Sequence, residues 1–174
     1  MFKKILGLFL VTIFIATSTI LAQQAQQSRC KTQPEYRQFD FWIGEWEVKN
    51  PNDVAVGNSV IELTVGDCVI LENWTGASGY TGKSLNYYSV LDQQWHQKWI
   101  GSGGIPIEFS GIYDAEAKAM KYIGKGFGQG GVELDYKLTF YQMTEDYVRQ
   151  HWEQSSDGGE TWTTIFDGQY HRKK

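Results

Sequence analysis

The feature that most constrains the fold is a succession of short strand-like runs separated by tight-turn residues. The clearest run is 132–140, where Val132, Leu134, Tyr136, Leu138 and Phe140 alternate with charged or polar residues. Such alternation is typical of a strand with one buried and one solvated face. Beyond residue 22, no helical spacing extends over more than about two turns. The sequence therefore predicts an all-β chain.

Short turns such as Gly66-Asp67, Gly103-Gly104 and Asp157-Gly158-Gly159 separate the predicted strands. These residues tolerate tight-turn dihedral angles, and short turns make consecutive strands adjacent and antiparallel. Closure removes the exposed edges that so many strands would otherwise leave. We predict a single antiparallel up-and-down β-barrel of about ten strands. The predicted strands are 45–50, 57–65, 68–75, 81–91, 94–101, 105–113, 118–125, 131–142, 146–154 and 161–171.

The N-terminal segment predicts export. Residues 1–22 have a short basic head, an apolar middle and a small residue before a polar tract, as in a secretory signal peptide. A retained membrane anchor is the alternative, but no second apolar segment follows and we predict no membrane span after cleavage. We expect residues 23–35 to form a flexible arm and 36–174 to form the barrel. The predicted location is periplasmic or extracellular.

Charge and cysteine usage limit the partners. The net charge is −4, and without a basic stripe the chain is a poor candidate for binding nucleic acid. The two cysteines, Cys30 and Cys68, can form one disulfide in an oxidising compartment, and two free thiols are the alternative. The oligomeric state is not determined by the sequence.

The aromatic stretch QFDFWIGEWEV, residues 38–48, predicts the floor of the barrel. Its segment Gly44-Glu45-Trp46 resembles the start of the first strand in lipocalins and their relatives. In those proteins a short 3₁₀ turn closes one end of the barrel and the tryptophan plugs it. The resemblance implies that Trp46 is the plug and that a basic residue of the last strand, here Arg172, covers its ring.

The whole mature chain resembles a family of exported bacterial proteins of unknown function with a lipocalin-like barrel. The matching motifs are FDFWIGEW (39–46), Glu72-x-Trp74, Ser84-x-Asn86-Tyr-Tyr88, Trp95-His-Gln-x-Trp99 and the segment from Ser155 to Trp162. The resemblance implies the fold. It brings no reaction, because the family has no assigned activity.

Two glycine-rich segments resemble nucleotide-binding motifs. Residues 126–131 match G-x-G-x-x-G, but a strand pattern follows them where the dinucleotide motif needs a helix. Gly82-Lys83-Ser84 lacks the earlier glycine of a phosphate loop, since Ala77 stands there. We interpret the first as a hairpin loop, and predict no cofactor.

Residues 155–162 match the Asp-box pattern S-x-D-x-G-x-x-W. We interpret this single copy as a hairpin that satisfies its own hydrogen bonds through Asp157 and packs Trp162 across the bend, with glycan binding as the alternative. The three histidines, His96, His151 and His171, fit no metal spacing. A single histidine ligand to haem from the barrel wall is a minor option.

With charged residues facing outward, aromatic and amide side chains line the predicted interior. The candidate ligand-binding residues are Glu72, Trp74, Asn86, Tyr88, Trp95, Gln97, Trp99, Gln150 and Trp152. On the third strand the assignment is open, because Val69 and Leu71 compete with Ile70 and Glu72 for the inner face. A solid core is the alternative to a cavity, since the chain has 7 Trp, 10 Tyr and 9 Phe to fill the lumen.

Buried amides and a carboxylate left without partners destabilise a dry core, which favours a partly open cavity. Three functions follow from this reading. The first is an exported protein that binds a small apolar or aromatic molecule. The second is an enzyme of unknown reaction that uses Glu72 as a general acid or base. The third is a cell-surface interaction module without a ligand.

Overall fold

A computed structural model describes residues 28–174; the predicted signal peptide, 1–22, and the first part of the predicted arm lie outside the described residues. Ten strands form one closed antiparallel barrel, in which each strand pairs with its chain neighbours and the first pairs with the last. The prediction of a ten-stranded up-and-down barrel is confirmed. The strands are β1 (Gly44–Lys49), β2 (Ala55–Thr64), β3 (Val69–Gly76), β4 (Thr81–Ser89), β5 (Gln94–Gly101), β6 (Pro106–Asp114), β7 (Ala119–Phe127), β8 (Glu133–Gln142), β9 (Tyr147–Ser155) and β10 (Thr163–Arg172).

Short helical segments flank or join the strands. One helical turn, α1 (Arg29–Thr32), precedes two 3₁₀ turns at Pro34–Arg37 and Asp40–Trp42, and a third 3₁₀ turn spans Gln129–Gly131. No helix within residues 28–174 is long and apolar enough to cross a membrane. Two strands, β8 and β10, start two residues later than predicted, because the 3₁₀ turn at Gln129–Gly131 and the hydrogen bonds of Thr161 to Asp157 hold those residues in the preceding turns.

The up-and-down order separates the loops into two sets at opposite ends of the barrel. We call the "closed end" the end with the β2–β3, β4–β5, β6–β7 and β8–β9 turns, where the chain also enters β1 and leaves β10. The "mouth" is the opposite end, with the β1–β2, β3–β4, β5–β6, β7–β8 and β9–β10 loops. The core lies toward the closed end and the cavity described below toward the mouth.

Aromatic rings from the segment before β1 close one end. Phe39 stacks on Trp42 with ring centroids 5.0 Å apart, and both contact Phe140 of β8. Trp46 is fully buried, and its indole N–H donates to the carbonyl of Trp42 at 2.8 Å. The residues that the sequence placed at the floor therefore pack into one dense aromatic layer.

Arg172 joins the two ends of the chain at this floor. Its guanidinium lies 4.2 Å from the ring centroid of Trp46, and its Nη1 donates to the carbonyl of Ile43 at 2.9 Å. In the β1–β10 pairing that closes the barrel, Trp46 is opposite Arg172. The contact combines cation–π attraction with a hydrogen bond to the entering chain.

The predicted disulfide is confirmed. Cys30 of α1 is bonded to Cys68 in the β2–β3 turn, with 4.9 Å between their Cα atoms. Beside it, Arg37 donates to the carbonyl of Asp67 at 2.6 Å. The described part of the predicted arm, residues 28–35, is thus attached to the closed end.

Candidate functional site

A cavity of about 510 Å³ occupies the mouth half of the barrel. Its inner part reaches Glu72, Gln97 and Gln150, and its rim includes residues of the β3–β4 and β5–β6 loops. Aromatic and aliphatic side chains form most of the wall, namely Trp74, Trp99, Ile107, Phe109, Leu138, Trp152, Phe166 and Tyr170. The size and the few polar groups are typical of a site for a small organic molecule.

Glycines keep the rings flat against the wall. Gly57 on β2 lies under Trp74, and Gly82 on β4 lies under Trp99, so closely that a Cβ atom on either glycine would collide with the indole. Each ring covers its neighbouring strand instead of projecting into the lumen. This arrangement explains how a barrel rich in large aromatics still has an open interior.

Glu72 supplies the carboxyl of the cavity. On β3, Ile70 and Glu72 are buried and face inward, so the open question of orientation is settled in their favour. The hydroxyls of Ser59 on β2 and Ser84 on β4 donate to the two carboxylate oxygens at 3.0 and 2.9 Å. Flanking serines on both neighbouring strands fix the orientation of the carboxyl group.

Burial raises the pKa of Glu72 to about 7, and the hydrogen bonds from Ser84 and Ser59 only partly oppose that shift. An ionised carboxylate loses hydration when it is buried, so its neutral form is favoured unless a positive charge lies nearby. The group therefore changes charge near neutral pH. Carboxyl groups with this property are suited to proton transfer or to pairing with a cation.

Two amides and a tyrosine add hydrogen-bonding capacity. The hydroxyl of Tyr170 donates to Oε1 of Gln150 at 2.5 Å. Within the part of the chain that the structure describes, Oε1 of Gln97 and the indole N–H of Trp152 are buried without a hydrogen-bond partner. Because unpaired buried polar atoms are unfavourable, these two atoms are candidates to bind a ligand or a water molecule.

The structure brings six of the nine predicted ligand-binding residues together on the cavity wall: Glu72, Trp74, Gln97, Trp99, Gln150 and Trp152. The other three, Asn86, Tyr88 and Trp95, belong to the closed end instead. Trp95 is buried against Phe39 and donates to Gln38, and Tyr88 packs edge-on against Tyr36. Asn86 lies beneath the cavity, where it donates to Ser84 and to the carbonyl of Ile70.

The prediction placed these three residues in the cavity because strand alternation gives the face of a side chain but not its height along the barrel axis. The segment before β1 packs against Tyr88 and Trp95 and so separates them from the cavity, while the hydrogen bonds of Asn86 hold it beneath the cavity. Sequence reasoning also missed Ile107, Phe109, Phe166 and Tyr170 on the wall. The alternation of Ile107 and Phe109 around the exposed Glu108 on β6 was a signal for two of them.

The Asp-box segment forms a self-contained turn at the mouth. Oδ1 of Asp157 accepts from the Ser155 hydroxyl at 2.6 Å and from the Thr161 amide at 2.9 Å. These hydrogen bonds, led by that from Ser155, hold the pKa of Asp157 well below its usual range. The indole of Trp162 donates to the Gly159 carbonyl, and Lys137 lies 3.8 Å over its ring.

Within residues 28–174, no group of three or more His, Cys, Asp or Glu side chains is arranged to hold a metal ion. His96 pairs with Asp92 at 2.8 Å and His171 stacks on Tyr147, and none of the three histidines is among the residues that line the cavity. The described cavity wall thus offers no histidine ligand for haem.

No known protein-family model matches the chain, and a search of characterised proteins finds no significant match.

Proposed function

We propose that this chain is an exported protein that binds a small apolar or aromatic molecule inside its barrel. The observation that carries the proposal is the cavity of about 510 Å³ with aromatic walls and a few inward polar groups. Trp74, Trp99 and Trp152 provide apolar contact area, and Glu72, Gln97 and Gln150 orient the ligand. The apolar run in residues 5–22 and the disulfide support export.

A second candidate function is an enzyme in which Glu72 is the general acid or base. The observation in its favour is that the pKa of Glu72 is raised to about 7 at the inner part of the cavity. A group that titrates near the working pH serves both as donor and as acceptor of a proton. The resemblance to exported barrels of unknown function contributes no reaction to this proposal.

The first test is native mass spectrometry of the protein purified from its own host. We expect a retained mass that is lost on denaturation. In parallel, the neutral dye Nile red is titrated against the emptied protein. Absence of both a retained mass and dye binding would contradict ligand binding and favour an interaction module.

A matched pair of variants on β6 locates the bound dye. Ile107 lies on the cavity wall, whereas Ile112 points to solvent. We expect Ile107→Trp to weaken Nile red binding at least about tenfold, or about 1.4 kcal/mol, because the larger ring occupies ligand space. Ile112→Trp is the control, and equal weakening by both variants would place the dye outside the cavity.

The enzyme candidate is tested with the retained molecule. The wild-type protein and Glu72→Gln are incubated with it and the products are compared by mass spectrometry. Turnover by the wild type that stops in a Glu72→Gln variant still able to bind supports catalysis. An unchanged molecule in both samples leaves binding as the function.

A further inference from the structure

The described cavity wall has an acidic side chain but no basic one. Among the described residues that line it, Glu72 is the one with a carboxylate, and no lysine, arginine or histidine is present. Glu72 is 4% exposed, and its two oxygens have serine hydroxyls as their partners. The cavity can therefore hold a negative charge but offers no positive charge to balance it.

The groups that face Glu72 are neutral on every neighbouring element. β2 presents Ser59 and Ile61, β4 presents Ser84, and β10 presents Tyr170, whose pKa is raised well above 10 by burial and by the nearby Glu72. The other titratable side chain on the wall is Tyr80 at the rim. An opposite charge placed beside a buried carboxyl group favours its ionised form.

The walls also favour a cation. Trp74, Trp99 and Trp152 surround the lumen together with Phe166 and Tyr170. The faces of such rings carry negative electrostatic potential and attract an organic ammonium group, most strongly where water is excluded. An anionic ligand, in contrast, would meet both the ring faces and Glu72 with unfavourable electrostatics.

We propose that the ligand is an arylalkylamine, an aromatic ring with an amine on an alkyl chain, that binds as its ammonium ion, with the charged nitrogen paired to Glu72 and the ring held among the tryptophans. This inference rests on the proposed binding function. It predicts that the barrel discriminates against carboxylic acids of the same size and shape.

The test uses three probes with one indole body and different heads: tryptamine, which is cationic, tryptophol, which is neutral, and indole-3-propionate, which is anionic. Isothermal titration calorimetry on the emptied protein near pH 8 should rank tryptamine first by at least about tenfold over tryptophol, with indole-3-propionate weakest. Equal affinities, or a preference for the acid, would overturn the inference.

The pH dependence has a defined sign. Because burial raises the pKa of Glu72 to about 7, the carboxyl is mostly ionised above that pH and mostly neutral below it. An alkyl ammonium stays protonated through this range, so tryptamine affinity should fall about tenfold from about pH 8 to about pH 6. Tryptophol affinity should stay within about twofold.

Glu72→Gln keeps the shape and removes the charge. We expect the variant to lose most of the preference for tryptamine over tryptophol, apart from the part that the ring faces supply, and to lose the pH dependence. Glu62→Gln is the matched control, because Glu62 lies on β2 with its side chain exposed. A preference for tryptamine of unchanged size in Glu72→Gln would contradict the pairing.

If Glu72→Gln does not fold, the change of wild-type tryptamine affinity with pH tests the same pairing. Binding of tryptophol and Nile red without preference for tryptamine would overturn the amine assignment and leave the binding function intact. Failure of all the probes to bind would contradict both.

Discussion

The two ends of this barrel are built from the same ten strands, yet one is packed and the other is open. At the closed end, Phe39, Trp42 and Trp46 fill the lumen and are fully buried. At the mouth, Trp74 and Trp99 lie flat over Gly57 and Gly82 and leave a cavity of about 510 Å³. The difference teaches that the direction of the rings, and not their number, decides whether such a lumen is filled.

A second contrast lies in the covering segments. The closed end is crossed by two 3₁₀ turns, a disulfide and Arg172, whereas the mouth carries hairpin loops. The closed end should therefore carry most of the stability and the mouth most of the adaptability. Each of the following experiments tests that division.

The largest effect is expected at the floor. Trp42→Ala removes a fully buried ring that stacks on Phe39 and packs at an angle against Phe140, so the free energy of unfolding should fall by about 4 kcal/mol. Trp152→Ala is the matched change at the cavity, where the ring already borders empty space, and should lower it by about 1 kcal/mol. Urea denaturation measures both, and equal losses would remove the contrast.

Loss of the disulfide comes next. Changing Cys30 and Cys68 together to serine frees α1 from the β2–β3 turn and should lower the free energy of unfolding by about 3 kcal/mol. Because the bond lies at the closed end, Nile red affinity should stay within about twofold. Urea denaturation and dye titration of the same samples check both statements, and a large loss of dye affinity would show that the two ends are coupled.

The third effect concerns the cavity. The pKa of Glu72 is about 7 in the folded chain against 4.5 without burial, so the folded state binds the extra proton in that interval. The free energy of unfolding should therefore fall by about 2 kcal/mol as the pH rises from about 4.5 to about 7. Glu72→Gln should flatten this decline, whereas Glu62→Gln should follow the wild type in urea denaturation across that range.

The smallest effect tests the glycine under Trp99. In Gly82→Ala the new methyl group displaces the indole toward the lumen, and Nile red affinity should fall about threefold, or about 0.7 kcal/mol. Lys83→Ala, at the neighbouring position of β4, is the control, because that side chain is exposed on the outer face of the barrel. Nile red titration measures both variants. Unchanged affinity in Gly82→Ala would show that glycine is not needed there to keep the Trp99 ring out of the lumen.

Alternation and turn chemistry were enough to predict the ten strands, because inward and outward positions repeat at every second residue and glycine marks the bends. They placed Gln97, Trp99 and Gln150 on the inner face, where the structure has them. They did not give the height along the axis, and so Asn86, Tyr88 and Trp95 were assigned to the cavity although they lie below it, toward the closed end. That height depends on which loops cover which end, a long-range property that no local pattern contains.

The hydrogen bond from Lys173 to the Glu45 carbonyl fixes the last residues beside the start of β1, at the end of the barrel opposite the mouth. An affinity tag or a sensor chip attached after Lys174 would therefore stand away from the ligand entrance. Protein tethered in that way would present its opening to the surrounding solution, so surface-based screening of ligand collections requires no redesign of the loops.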